Sequence, residues 1–180
     1  LNAYPTTVRH KEFDYGIYEF VPGRITSGVF DLDVGTADDL YVRRIHAKQQ
    51  DHNGVTYRWT RDRSFISVLG TLATASSLTL YLNNGGRPDD AEETHVHLTL
   101  DNTPLGTYPV KAGFNSYTVS IPPGVARAVA AREEASELRI ETSTWIPREH
   151  LGGSDDREVG GTLQHTRTGC SGRVWSSPKS

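Results

Sequence analysis

The stretch Ser77-Leu78-Thr79-Leu80-Tyr81-Leu82-Asn83 decides the fold. Its apolar residues recur at every second position, so Leu78, Leu80 and Leu82 share one face while Ser77, Thr79 and Tyr81 share the other. That is the period of a half-buried strand; an amphipathic helix needs a 3.6-residue repeat. The same period returns on both sides. In Thr94–Leu100, Val96, Leu98 and Leu100 oppose His95, His97 and Thr99. Ser116–Ile121 carries Tyr117, Val119 and Ile121 on one face, and Glu137–Thr142 sets Leu138 and Ile140 against Glu137, Arg139 and Glu141. Gly28–Val34 places Phe30, Leu32 and Val34 opposite Asp31 and Asp33, and Val55–Trp59 alternates likewise. Further strands are predicted at Ser64–Leu69 and Glu158–Thr166, with an edge strand near Phe13–Phe20.

Turn-forming clusters separate these runs at Asp51–Gly54, Asn83–Asp90, Asp101–Pro104, Pro122–Gly124 and Gly152–Asp156. Short alternating strands with such punctuation predict an all-β protein, an antiparallel two-sheet β-sandwich of jelly-roll type. The one helix-like stretch, Val125–Ser136, reads as a short crossing between strands. Residues 28–168 are expected to form the sandwich, with residues 1–27 as an N-terminal extension and residues 169–180 as a flexible tail.

Composition narrows the function classes. Hydrophobic residues at 36% and charged residues at 23% describe a globular chain with a real core, not a disordered one. A formal net charge of −3 with scattered Lys and Arg argues against a nucleic-acid partner. Cys170 is the only cysteine, so neither an intrachain disulfide nor a thiolate zinc site can form. The chain starts at Leu1 and contains no methionine, from which a longer parent polypeptide is expected.

Catalytic signatures are missing: there is no Gly-x-Ser-x-Gly elbow, no His-Glu-x-x-His and no phosphate loop. Ser154, in Gly152-Gly153-Ser154-Asp155, sits beside acidic residues without the strand-to-helix context a nucleophile needs. Three aromatics are ligand candidates. Tyr57 and Trp59 share a strand face and read either as a stacking platform for a sugar ring or as core aromatics alongside Val55, with Arg58 opposite. Trp145 reads as packing at a strand end or as a rim contact. For a cation, Asp155 and Asp156 in the Gly-rich turn could join Asp33, Asp38 and Asp39 as hard oxygen donors for calcium. The other reading of that turn is an ion pair with Arg157 and Asx-type bonds. His95 and His97 have the spacing of a transition-metal pair, or of solvated decoration.

Several short motifs fall in a fixed order. They are Phe30-Asp31-Leu32-Asp33-Val34-Gly35 with Asp38-Asp39, Tyr57-Arg58-Trp59-Thr60, and Leu78-Thr79-Leu80-Tyr81-Leu82 leading to Gly86-Arg87-Pro88. Ser143-Thr144-Trp145-Ile146-Pro147 and Gly153-Ser154-Asp155-Asp156-Arg157-Glu158-Val159-Gly160 complete them. Together they resemble the β-sandwich domain found in extracytoplasmic parts of bacterial multi-pass membrane proteins similar to dolichyl-phosphate-mannose-type glycosyltransferases. That sandwich is similar to carbohydrate-binding-module or galactose-binding-like jelly rolls. Val159-Gly160 departs from the usual Leu-Gly ending. The resemblance implies a non-catalytic accessory domain, periplasmic or at the cell surface, whose partners are a glycan and the rest of its own membrane protein. The transferase carboxylates would lie outside this chain. The rival class is a small β-sandwich hydrolase acting on carbohydrate or ester substrates.

Overall fold

The computed structural model describes residues 2–6, 9–10, 13–14, 17–21, 30–36, 38–68, 75–88, 91–130 and 135–169, with the backbone alone described for 2–21 and 129–130. Near the N-terminus β1 (Asn2–Thr6) pairs antiparallel with β4 (Ile17–Val21), and β2 (Arg9–His10) pairs with β3 (Phe13–Asp14). The remaining strands are β5 (Asp31–Asp33), β6 (Val42–Gln50), β7 (Thr56–Val68), β8 (Ser77–Asn83), β9 (His95–Leu100), β10 (Thr103–Pro109), β11 (Asn115–Ser120), β12 (Ser136–Thr142) and β13 (Thr162–Gly169). All of these nine belong to one sheet, and every pairing in it is antiparallel.

The sheet folds into two leaves joined by the long strand β7. One leaf runs β10-β9-β12 and ends on the C-terminal half of β7, where Arg63–Val68 pair with β12. The other runs β11-β8-β13, and β13 is flanked by β5 and by Arg58 and Trp59 at the start of β7. Between its two partners β7 exposes Arg61, Asp62 and Arg63, and β6 follows it with two register shifts. Buried Ser64 serves this corner: its hydroxyl donates to Arg44 O at 3.0 Å and accepts from Arg61 N at 3.0 Å. Such bulged corners let one strand change leaf without losing its hydrogen bonds.

The alternating leucines meet between the leaves. Leu80 from one leaf and Leu98, Leu138 and Ile140 from the other are all fully buried in one hydrophobic cluster. Burying each such side chain is worth about 1.5–3 kcal/mol, and this is the main drive for the sandwich. α1 (Pro123–Ala130) starts on a proline, suited to a first helical position, and packs Ala126 into the same cluster. α2 (Pro147–Leu151) is a single turn.

The all-β antiparallel sandwich is therefore present as expected, with differences at several elements. Val55–Trp59 and Ser64–Leu69, read as two strands, fall on one strand, Thr56–Val68; Val55 precedes it and Leu69 falls outside the described residues. Thr103 and Pro104 belong to β10, not to a turn; Pro104 is tolerated because β10 is an edge strand and the register shifts there. The helix begins at Pro123, before the predicted Val125. The last strand begins at Thr162; upstream of it Val159 makes an isolated bridge to Trp145. β6 has no clear two-residue period, so alternation does not predict it. Cys170 and the tail beyond it lie outside the described residues.

Candidate functional site

Strand register places the aromatic candidates. Arg58 stands opposite Leu163, and Leu163 stands opposite Leu82, so all three point to the core side. Trp59, Thr162 and Asn83 are aligned in the next row on the opposite side of the sheet, as is Tyr57 two residues before Trp59; Thr162 in that row is itself buried, and the other three are half-buried. The core reading of Tyr57 and Trp59 is thus reversed: both are half-buried on the outer face, and Arg58, expected outside, is 7% exposed. The phase is set by the rest of β7, where Thr60, Ser64, Ile66 and Val68 are buried on the same alternation as Arg58.

Burying Arg58 is made tolerable by Asp38, which is 0% exposed. Arg58 Nε and Nη2 donate to its two carboxylate oxygens at 2.7 Å each, Nη1 donates to His46 O at 3.3 Å, and Asp39 takes a further bond from Nη2. Asp38 Oδ2 also accepts Gly35 N at 2.8 Å, closing the turn after β5. Gly35 sits at φ 92°, and a Cβ there would lie 2.9 Å from Tyr57 N, so the position needs glycine. Burial raises the Asp39 carboxyl, but the hydrogen bonds from Lys48 and Arg58 outweigh it and hold the group below its ordinary range. The motif residues Gly35, Asp38, Asp39 and Arg58 form one structural staple.

Above that staple lies an aromatic surface. The Trp59 ring rests on Gly85, where a Cβ would fall 2.2 Å from Cζ3, and Trp59 Nε1 donates to Gln49 Oε1 at 2.9 Å. Phe114, 36% exposed, comes from the loop before β11 and meets the Tyr57 ring at 6.3 Å between centroids with a 56° tilt. The two loops that close this end are tied by Asn84 N donating to Lys111 O at 3.1 Å. Tyr57, Trp59 and Phe114 thus lie at one end of the outer face, with the Gln49 amide at the Trp59 edge. Phe114 escaped the sequence reading; its only signal is an aromatic ring inside the turn-like run Gly113-Phe114-Asn115.

Trp145 is elsewhere. It is 6% exposed and bridged through its backbone to Val159, with the Arg87 guanidinium 5.8 Å from its ring centre and the His150 ring at 6.0 Å. Arg87 donates to Glu92 O and Ser143 O at 2.6 Å each, and burial pushes its pKa down. The Trp145 side chain packs inside this knot and stands apart from Tyr57 and Trp59.

The five aspartates named for calcium are dispersed among other partners, Asp39 being held by Lys48 and Arg58. Asp38 is occupied by Arg58 and Gly35 N. Asp155 receives Arg157 Nε at 2.8 Å and Nη2 at 2.7 Å and accepts Arg157 N at 3.2 Å; these bonds hold its carboxyl down to about 2. Asp33 accepts from Thr56 Oγ1 at 3.4 Å, and Asp156 is exposed. Among the described residues no three His, Cys, Asp or Glu side chains gather as a metal set. His95 turns to Glu93, and His97 Nδ1 lies 2.6 Å from Thr107 Oγ1. Ser154 is exposed in its turn. His46 Nε2 donates to Glu158 O at 3.0 Å, and burial holds the imidazole below its usual pKa. No helix among the described residues is long and apolar enough to cross a membrane.

Fold and surface together define an antiparallel β-sandwich with an aromatic platform on one outer face. No family model matches the chain, and no curated protein matches it. Solved structures do match. The CBM36-1 domain of a multidomain xylanase from the hindgut metagenome of Trinervitermes trinervoides aligns with a TM-score of 0.43 and 10% identity, over 81% of this chain and 99% of that one. The Podospora anserina GH26-CBM35 β-(1,4)-mannanase aligns at 0.45 and 11%, over 82% of this chain and 28% of that one. An acetyl xylan esterase from Butyrivibrio proteoclasticus aligns at 0.43 and 12%, over 85% and 35%. At TM-scores below 0.5 none of these likenesses assigns a residue, a ligand or an activity to this chain.

Proposed function

We propose that this domain is a non-catalytic accessory module that holds a glycan on its outer sheet face, within a larger membrane-associated protein outside the cytoplasm. One observation carries the reading: Tyr57 and Trp59, which alternation alone leaves as platform or core, lie outward, and the Tyr57 ring meets Phe114 at the closed end of that face. Sugar rings present flat patches of C–H beside hydroxyls, and they suit rings that are held in place and edged by amides. Trp59 is held by Gly85 beneath and Gln49 at its edge, which lowers the ordering cost of binding. The platform consists of rings and the Gln49 amide, groups that hold a ligand and do not transfer atoms. The extracytoplasmic, glycosyltransferase-associated context is supported by the ordered motifs between Phe30 and Gly160. The test is a glycan array followed by calorimetry on the purified domain and on Trp59→Ala. Binding by the parent that Trp59→Ala removes supports the reading; flat responses from the parent across the array refute it.

A further inference from the structure

Below the aromatic platform the same outer face carries two rows of polar side chains across four strands. Register aligns Ser116, Tyr81, His165 and Asp33 in one row, and Thr118, Thr79, Arg167 and Asp31 in the next. Leu80, Thr166 and Leu32, between the rows, are buried, so both rows point away from the core. Tyr81 stands in the first row at 39% exposure, with its ring 5.7 Å from the His165 ring in an edge-on arrangement. His165 Nε2 bonds Asp31 Oδ1, and Arg167 Nε lies 3.3 Å from Asp31 Oδ2. Thr79 and Thr118 share a hydrogen bond at 3.0 Å. The core gains nothing from a ring left outside it, and a line of fixed hydroxyls, carboxylates and one guanidinium flanks that ring.

This face is continuous with the platform. Tyr81 is two residues from Asn83, which is aligned with Thr162 and Trp59. Four residue steps from Asn83 to Thr79 span about 13 Å, and the four strands span roughly 14 Å in the other direction. That is longer than one hexose ring needs. The charge is uneven: Asp31 and Asp33 oppose Arg167, and both His165 and Arg167 already face Asp31. An anionic chain would meet two carboxylates, with the one guanidinium of these rows already committed to Asp31.

Building on the glycan reading above, we infer that the binding surface continues from Trp59 down to Tyr81 and the Asp33 and Arg167 rows, and that its ligand is a neutral oligosaccharide laid along β8 and β13. A first ring rests at Tyr57, Trp59 and Phe114; a later ring stacks on Tyr81, with its hydroxyls donating to Asp33.

The experiment titrates neutral xylo-, cello- and manno-oligosaccharides of increasing length, and an oligogalacturonate, into the parent domain, Trp59→Ala, Tyr81→Ala, Tyr81→Phe and Asp33→Asn. The expected result is that Tyr81→Ala weakens the longer neutral chains about tenfold, leaves disaccharide binding unchanged, and is rescued by Tyr81→Phe. Asp33→Asn weakens the longer chains several-fold. Loss of binding in Trp59→Ala together with full-strength binding of every length by Tyr81→Ala overturns the extension and leaves the platform standing. Tighter binding of the oligogalacturonate than of neutral chains overturns the assignment of ligand charge. No binding by the parent overturns the glycan reading itself.

Discussion

Replacing Asp38 with alanine removes the acceptor of three hydrogen bonds at once: Arg58 Nε at 2.7 Å, Arg58 Nη2 at 2.7 Å and Gly35 N at 2.8 Å. Asp38 is 0% exposed, so no water can replace the lost oxygens without the turn opening. Arg58 would stay inside the fold with Asp39 at its edge as the one remaining carboxylate and His46 O as its other acceptor. Breaking a buried pair from one side costs about 3–5 kcal/mol, because the remaining charge stays desolvated. A domain of this size loses about 2–4 °C of melting temperature per kcal/mol, so the expected fall is roughly 6–20 °C. Circular dichroism melts and urea titrations of the parent and of Asp38→Ala measure it. Asp62→Ala, which breaks the exposed Arg44–Asp62 pair, is the control and should change stability by less than about 1 kcal/mol. If Asp38→Ala lost no more than that control, the staple would not be holding the turn and the start of β7 together.

Three further outcomes are expected. Trp145→Ala, which empties a 6%-exposed site, should cost about 3–5 kcal/mol, whereas Trp59→Ala should lower stability much less while removing glycan binding; equal losses in urea titrations would contradict their different placement. His46 is held below its ordinary pKa by burial, so the folded state takes up its proton less readily than the unfolded chain, whose His titrates near ~6.5. Its contribution to stability is therefore present above that pH and declines as pH falls below it; melts from pH 8 to pH 5 should show a slope that His46→Gln flattens, and an unchanged slope would exclude His46 as its source. Because Asp38 and Asp155 are engaged by arginines, chelator and added calcium should leave the melting temperature unchanged, and a calcium-dependent rise of several degrees would place a cation on this sandwich.

The class of fold was open to reading because leucine alternation in β8 and β9 survives any local ambiguity: Leu80 and Leu98 can be buried together only between two sheets. Three features resisted. Arg58 reads as a surface residue until Asp38, twenty residues earlier in a turn, neutralises it; joining the even-numbered positions from Arg58 through Thr60 and Ser64 to Val68 would have revealed the phase. β6 hides its strand character because among the described residues it pairs with β7 alone, and it exposes charges such as Arg43 and Lys48 along its length. Two of the platform's three rings were legible in Tyr57 and Trp59. Phe114 was not, because the chain alone carries no record that the loop before β11 reaches across to β7. The acidic turn was legible in its ion-pair form, since Asp155 and Arg157 are neighbours in sequence and their partnership needs no tertiary information.

The central claim is that the outer face around Trp59 holds a neutral glycan. Isothermal calorimetry of a neutral oligosaccharide panel against the parent domain and Trp59→Ala, with melting curves of both proteins, tests it most directly. The account predicts saturable binding by the parent and at least about tenfold weaker binding by a Trp59→Ala variant that still melts cooperatively. Equal binding by the two proteins, or none by the parent, would contradict it.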